Sequence, residues 1–195
     1  MYISLEGVDG SGKSTQARLL VEALGEGTVA IREPGGTEAA ERIRGLLADP
    51  SVAPAPLAEL MLFLAARADL TERVIRPALE DGRDVVADRF SDSSVAYQGS
   101  ARGLGVGEVI GLCDTATDGL WPDLTLLLRL DPEAGLARAE SDDRFEREGL
   151  GLQQAVATAY EEIAVIASDR VTVIDAGGTV EEVHARVMEA VRDHA

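Results

Sequence analysis

The stretch "GVDGSGKST", Gly7 to Thr15, decides how the rest of the chain is read. It holds the only lysine, Lys13, among the 18 Lys and Arg residues of a 195-residue chain. Gly7 to Ser14 fits the spacing G-x-x-x-x-G-K-[ST], in which glycines let successive backbone N–H groups curl around one anion. Before it, "YISLE" (Tyr2–Glu6) reads as a buried strand. After it, Ser14 to Leu24 reads as a helix with Ala17, Leu20, Val21 and Leu24 on one face. Strand, glycine loop and helix N-terminus follow in the order a phosphate cradle needs. Gly7, Val8, Asp9, Gly10, Ser11, Gly12, Lys13, Ser14 and Thr15 are the candidate triphosphate site. Lys13 is expected to reach the β- and γ-phosphates, and the Ser14 hydroxyl to face Mg²⁺. A compact ammonium between packed phosphates does a task that a planar guanidinium fork does not.

Outward from this loop, strand-like and helix-like segments alternate to the end of the chain. Strands are expected at 28–33, 84–90, 124–130 and 171–175, and helices at 37–47, 56–80, 91–97, 108–117, 132–139, 152–167 and from 179 onward. The glycine-rich "QGSARGLGVG" after Tyr97 reads as a loop, and Pro77 is placed to kink the last turn of the 56–80 helix. Alternating elements of this kind imply an α/β three-layer fold of the P-loop NTPase type, a five-stranded parallel sheet flanked by helices. The chain is read as one domain, residues 1–195, with a short polar lid at about 140–150.

Composition narrows the chemistry. The net charge of −17 opposes binding to nucleic acid or anionic membranes, so an anionic ligand requires locally placed cations. No apolar run is long enough to span a bilayer, and no secretory leader is visible, so a cytoplasmic enzyme is expected. A single cysteine, Cys113, excludes an internal disulfide framework and reads as a small buried side chain. The chain has no asparagine, which removes the guanine-reading motif of GTPases and the catalytic-loop Asn of protein kinases. Its two histidines, His184 and His194, lie near the C-terminus, away from any plausible Ser-His-Asp arrangement.

Three further constellations carry chemistry. "REPGGT" (Arg32–Thr37) follows the second strand. In "LFLAAR", Phe63 and Arg67 are four apart and share a helix face. They are either a core ring beside a surface charge, or a ring to stack on a base with a guanidinium at its edge. "DRF" (Asp88–Phe90) ends a strand where α/β proteins place ligand contacts, and Asp88 is positioned to meet Mg²⁺ through water.

Together, "EGVDGSGKST", "REPGGT", "LFLAAR", "DRFSDSSVAYQG", "LDPEAGLARA" and "DRFE" closely resemble the thymidylate kinase family, in the family's order and spacing. The resemblance implies phosphorylation of dTMP to dTDP by ATP with Mg²⁺, feeding dTTP synthesis. It implies that Asp9 orients the acceptor nucleotide and the metal. Phe63 would stack on thymine, Arg67 read its edge, and Arg89 hold the acceptor phosphate. Tyr97 would pack under the deoxyribose, with Ser93, Ser94 and Gln98 lining the base pocket. Arg138 and Arg144, with Glu146 as a further metal-side acid, match the lid over ATP. Glu33-Pro34 falls where the family often has a cis peptide bond. The resemblance also implies a homodimer packed through helices of the second and third crossovers; the apolar "LAELMLFLAA" fits that and an ordinary buried helix equally well.

The family places its transition-state arginine either in the P-loop or in the lid. Val8 to Ser11 contains none, so Arg144 is expected to supply it, with Arg138 and Arg147 as alternatives. Two other functions compete: the same machinery with dUMP or dGMP as acceptor, and a P-loop ATPase that drives a partner.

Overall fold

The computed structural model describes residues 1–138 and 149–194. Strands β1 (Tyr2–Glu6), β2 (Val29–Arg32), β3 (Val85–Asp88), β4 (Leu124–Arg129) and β5 (Val171–Asp175) form one sheet in the order β2-β3-β1-β4-β5. Every pairing is parallel, with Leu5 opposite Asp88 on one side of β1 and Leu126 on the other. The first strand sits centrally and hands the chain to the phosphate loop at its C-terminal end, where ligands bind in such sheets.

Side chains of β1 alternate between two faces. Ile3 and Leu5 pack with Ala17 and Leu20 of α1 (Lys13–Leu24) and with Val183, Val187 and Val191 of α9 (Val180–His194). The opposite face carries Tyr2, Ser4 and Glu6, all fully buried. Tyr2 meets the Phe90 ring edge-on at 5.1 Å between centroids. Ser4 Oγ lies 2.9 Å from Thr125 Oγ1, beside the partly buried pair in which Arg170 holds Asp92 at 2.7 Å. That face is covered by α3 (Pro56–Leu70), α6 (Val106–Thr117) and α8 (Gly149–Ile166), whose apolar residues surround Val8 and Leu127.

Helix α2 (Glu38–Ala48) starts at the N-cap Thr37, whose Oγ1 accepts from Ala40 N at 3.1 Å and donates to Asp69 Oδ2 at 2.5 Å, tying α2 to α3. The expected helix 56–80 is divided. After α3 comes a π-helical segment, Thr71–Ile75, and then α4 (Arg76–Glu80). Pro77 has no N–H and crowds the carbonyl four residues back, and the wider turn, with Arg76 N bonded to Thr71 O, accommodates it. A second correction concerns 98–101. After α5 (Ser91–Ser94), a π-helical segment runs from Val95 to Ala101, closed by Arg102 N to Tyr97 O at 2.8 Å. Gly99 is buried there rather than looped out, and a Cβ on it would meet Val106 and Val109 of α6 at 3.4 Å.

Helix α7 (Pro132–Arg138) leans on the phosphate loop. Gly135 is helical, and a Cβ there would collide with the Asp9 carbonyl oxygen. The Glu33-Pro34 bond is cis, as the family resemblance implies. Among the described residues, no helix is long and apolar enough to cross a membrane. Of the lid expected at 140–150, residues 140–148 lie outside the described residues, and with them Arg144, Glu146 and Arg147.

Candidate active site

The phosphate loop is a backbone device. Gly12 N-caps α1 at φ 93°, a left-handed conformation that costs glycine nothing, and Ser11 N bonds to Val8 O at 3.2 Å. Lys13, the first helical residue, is buried and donates through Nζ to Val8 O at 2.7 Å and to Ser11 Oγ at 3.4 Å. Burial first, and the nearby Arg89 charge second, push its ammonium down to about 8, against the pull of Asp9 and Asp88. Ser14 Oγ donates to Asp88 Oδ2 at 2.5 Å, so the last residue of β3 reaches the loop. Thr15 lies half-buried one residue further on.

Beside the loop opens a cavity of about 330 Å³. Asp9, Lys13, Ser14 and Asp88 line one end, Phe63 and Arg67 of α3 another wall, and Ser93, Ser94, Tyr97 and Gln98 a third. With Gly10 and Arg89, twelve sequence-expected residues converge on one space, including the Phe63–Arg67 pair that spacing alone leaves open. Arg138 closes α7 and is exposed.

Arg89 stands where loop and cavity meet. Its φ of 73° is left-handed, an uncommon state for a residue with a Cβ and one that clusters at functional sites. The guanidinium holds Asp9 Oδ1, bonds to Gly7 O at 3.3 Å and Ser93 Oγ at 3.1 Å, and lies 5.3 Å from the Tyr97 ring centroid. Burial would raise the Asp9 carboxyl, but Arg89, then Lys13, and hydrogen bonds from Gln153 and Tyr97 hold it below its usual value.

Arg67 is 1% exposed and donates four hydrogen bonds. Glu33 Oε2 accepts from Nε at 2.8 Å and lies 2.7 Å from Nη2 as its ion-pair partner. Ser94 Oγ (3.1 Å), Phe90 O (3.2 Å) and Cys113 Sγ (3.5 Å) take the others. The weakest is the contact with the Cys113 sulfur. That cysteine, buried as expected, therefore lies against a cavity-wall arginine.

Several contributors are not among the sequence-expected site residues. Glu6 accepts from Phe90 N (2.7 Å), Ser93 Oγ (2.6 Å) and Tyr160 Oη (2.7 Å), bracing the turn that carries Arg89. Burial, reinforced by Asp92, pushes its carboxyl up to about 7 despite Arg89 and the two hydroxyl bonds. Gln153 holds Asp9 twice, Nε2 to Oδ2 at 2.6 Å and Oε1 from Asp9 N at 3.1 Å. Gln153 and Tyr160 are seven apart on α8, which puts both on its inward face with Val156. That period was the available signal. Arg32 and Arg44 also line the cavity, from β2 and α2, with Arg44 donating to Pro34 O at 3.0 Å.

A phosphate loop that shares Asp9 with an arginine-edged cavity places a donor triphosphate and a second anionic ligand side by side, which defines a P-loop nucleotide phosphotransferase. The family model described as thymidylate kinase matches residues 5–187. The chain belongs to the thymidylate kinase family, enzymes that transfer a phosphate from ATP to dTMP to form dTDP. It is 46% identical to the thymidylate kinase of Synechococcus sp. (strain JA-3-3Ab), over 98% of this chain and 95% of that one. It is 48% identical to that of Ectopseudomonas mendocina, over 96% and 92%. The crystal structure of thymidylate kinase from Ehrlichia chaffeensis superposes with a TM-score of 0.83 at 32% identity, covering 98% of both chains.

Proposed function

We propose that the cavity receives dTMP, with its base between Phe63 and the Ser94–Gln98 wall and its phosphate against Arg89 and Asp9. The observation that carries this reading is the position of Arg89, which touches Asp9 of the phosphate loop and Tyr97 of the cavity wall together. ATP lies along Gly7 to Thr15, with Lys13 exchanging its bonds to Val8 O and Ser11 Oγ for phosphate oxygens. A dTMP phosphate oxygen then attacks the γ-phosphorus in line, and the bond from that phosphorus to the bridging oxygen of ADP breaks. The acceptor is already an anion and needs no strong general base. Arg67 reaches the base edge by releasing Cys113 Sγ or Ser94 Oγ, while Glu33 keeps its hold.

Ser14 Oγ, Asp88 and Asp9 form an all-oxygen donor set at the loop, the ligand type that Mg²⁺ takes, so these residues fit the metal. When bound, Mg²⁺ supplies charge neutralisation at the transferring phosphate. On sequence grounds the transition-state arginine is Arg144, which with Glu146 belongs to the lid at about 140–150 of a single domain. The enzyme acts in the cytoplasm as a homodimer. Support for the dimer comes from exposed Leu46 on α2 and exposed Leu57 and Met61 on α3, the helix that carries "LAELMLFLAA".

An ADP-release assay with Mg²⁺ or with EDTA, across a panel of nucleoside monophosphates, tests the reading. Turnover is expected with dTMP and Mg²⁺, and Arg89→Ala is expected to abolish most of it. ATP hydrolysis that ignores the acceptor would sink the assignment. Sedimentation analysis gives the oligomeric state, and a monomer at working concentration overturns the dimer.

A further inference from the structure

Glu59 is an acidic side chain buried in an apolar helix. It lies on α3 one turn before Phe63 and is 1% exposed. A buried carboxylate needs a partner, and Glu59 is held by Arg102, Nε to Oε1 at 3.2 Å and Nη2 to Oε2 at 3.3 Å. Its Oε1 also accepts from Gln98 Nε2 at 2.9 Å. Gln98 itself is 2% exposed and lines the cavity.

An ionised carboxylate only accepts hydrogen bonds, whereas an amide donates from one end and accepts at the other. The Glu59 contact therefore orients the Gln98 amide: NH₂ toward Glu59, carbonyl oxygen toward the cavity. A flipped amide would set two acceptors against each other at 2.9 Å, and the Arg102 ion pair holds the carboxylate in place. One turn beyond Phe63 on the same helix, Arg67 also lines the cavity and offers donors only. The walls thus present one fixed acceptor and fixed donors to whatever ring lies on Phe63.

We propose that Glu59, held by Arg102, is a positioning residue that fixes Gln98 as an acceptor, so that the cavity selects a keto pyrimidine with a ring N–H over an amino pyrimidine. Thymine and uracil carry an imide N–H beside a carbonyl, which complements an acceptor and a donor. Cytosine carries a ring lone pair beside an amino group, the reverse polarity at both positions. Guanine shares the keto–imide pair, and the cavity of about 330 Å³ has to reject it by size. This inference rests on the cavity being the dTMP subsite.

The test is kcat/KM for dTMP and dCMP in the wild type and in Glu59→Gln. The variant keeps the shape but lets both amides turn over, since an amide at 59 can donate or accept. The dTMP:dCMP ratio is expected to fall roughly 10- to 100-fold, the worth of one hydrogen bond to a charged group. Most of the change should lie in KM. A merely structural Glu59 would lower both substrates together and leave the ratio in place, which overturns the proposal. If Glu59→Gln does not fold, Gln98→Met, which removes the amide itself, must reduce the same ratio, and an unchanged ratio there also overturns it. Phe63→Ala separates the two levels of inference. If KM for dTMP does not change in that variant, the subsite reading fails. If KM rises but the ratio survives Glu59→Gln, only the role of Glu59 fails.

Discussion

The phosphate loop and the acceptor cavity touch through Asp9 and Arg89, yet they are built on different principles. The loop binds with its main chain. Its geometry comes from glycines, from the N-terminus of α1, and from close backbone neighbours such as Leu128 and Gly135, with Lys13 as its one cation. The cavity is built from side chains held by other side chains. Glu33 holds Arg67, Glu6 holds Ser93 and Tyr160, and Glu59 holds Gln98. A phosphate presents similar oxygens in every nucleotide and suits repeated amides, whereas a base has to be distinguished, which takes side chains of fixed polarity.

The largest expected effect comes from the charges at the junction. Lys13→Ala and Arg89→Ala should each lower kcat by on the order of 10³, as expected for cations aimed at transferring phosphoryl groups. Lys13→Arg is the sharper probe. A loss of roughly 10²-fold would fit an ammonium site that rejects a guanidinium fork. Activity close to wild type would erase the distinction between the one lysine and the arginines around it. Steady-state kinetics with saturating dTMP decides.

Next is the cavity's buried pair. Glu33→Ala leaves Arg67 charged, buried and missing its strongest partner, at an expected cost of about 3–5 kcal/mol in urea denaturation. Ser14→Ala, at an exposed position in the first turn of α1, should leave stability within about 0.5 kcal/mol while damaging turnover. If both variants unfold at the wild-type urea concentration, the claim that only the cavity is held by buried charge pairs is wrong.

This difference in construction also set what the sequence alone disclosed. The loop is contiguous, and its motif falls within nine residues, Gly7 to Thr15. Phe63, Arg67, Ser94, Tyr97 and Gln98 were reached through short motifs on α3 and after β3, and they do line one cavity. Glu6, Gln153 and Tyr160 are not among the sequence-expected residues, because their partners lie 67 to 154 residues away in the chain, beyond any local pattern. Ser4 and Glu6 sit in a strand that reads simply as buried, and periodicity does not report which polar atoms it buries. The two π-helical segments were likewise missed, since hydrophobic spacing does not separate an α-turn from a π-turn over five to seven residues.

Glu6 gives a pH-dependent test of the cavity's side-chain scaffold. Its carboxyl is raised from an ordinary 4.5 to about 7, chiefly by burial. The native state therefore holds this proton between those values where the unfolded chain has released it. Stability falls as pH rises through that window, and below it the penalty is absent. The wild type should lose about 3 kcal/mol through Glu6 between pH 4.5 and 7, and Glu6→Gln should lack that component. Denaturation midpoints measured at several pH values compare the two proteins. Parallel pH profiles would mean that Glu6 ionises in the fold as freely as in the unfolded chain.

The smallest effect belongs to the loop and is the most direct measure of its one cation. Burial and Arg89 push Lys13 down to about 8, so near that pH roughly half of the molecules carry a neutral amine before ATP arrives. Phosphate oxygens replacing Val8 O as partners favour the charged form and draw a proton from buffer. ATP is fully ionised at pH 8 and contributes no competing protonation of its own. Titration calorimetry in buffers of different ionisation enthalpy should therefore register uptake of about 0.5 proton per ATP at pH 8, falling toward zero at pH 7. Uptake that failed to grow with pH would place the ammonium in contact with counter-charge before the nucleotide binds. The loop would then depend on side-chain pairing as the cavity does, and the contrast between the two regions would narrow to the polarity of the base wall.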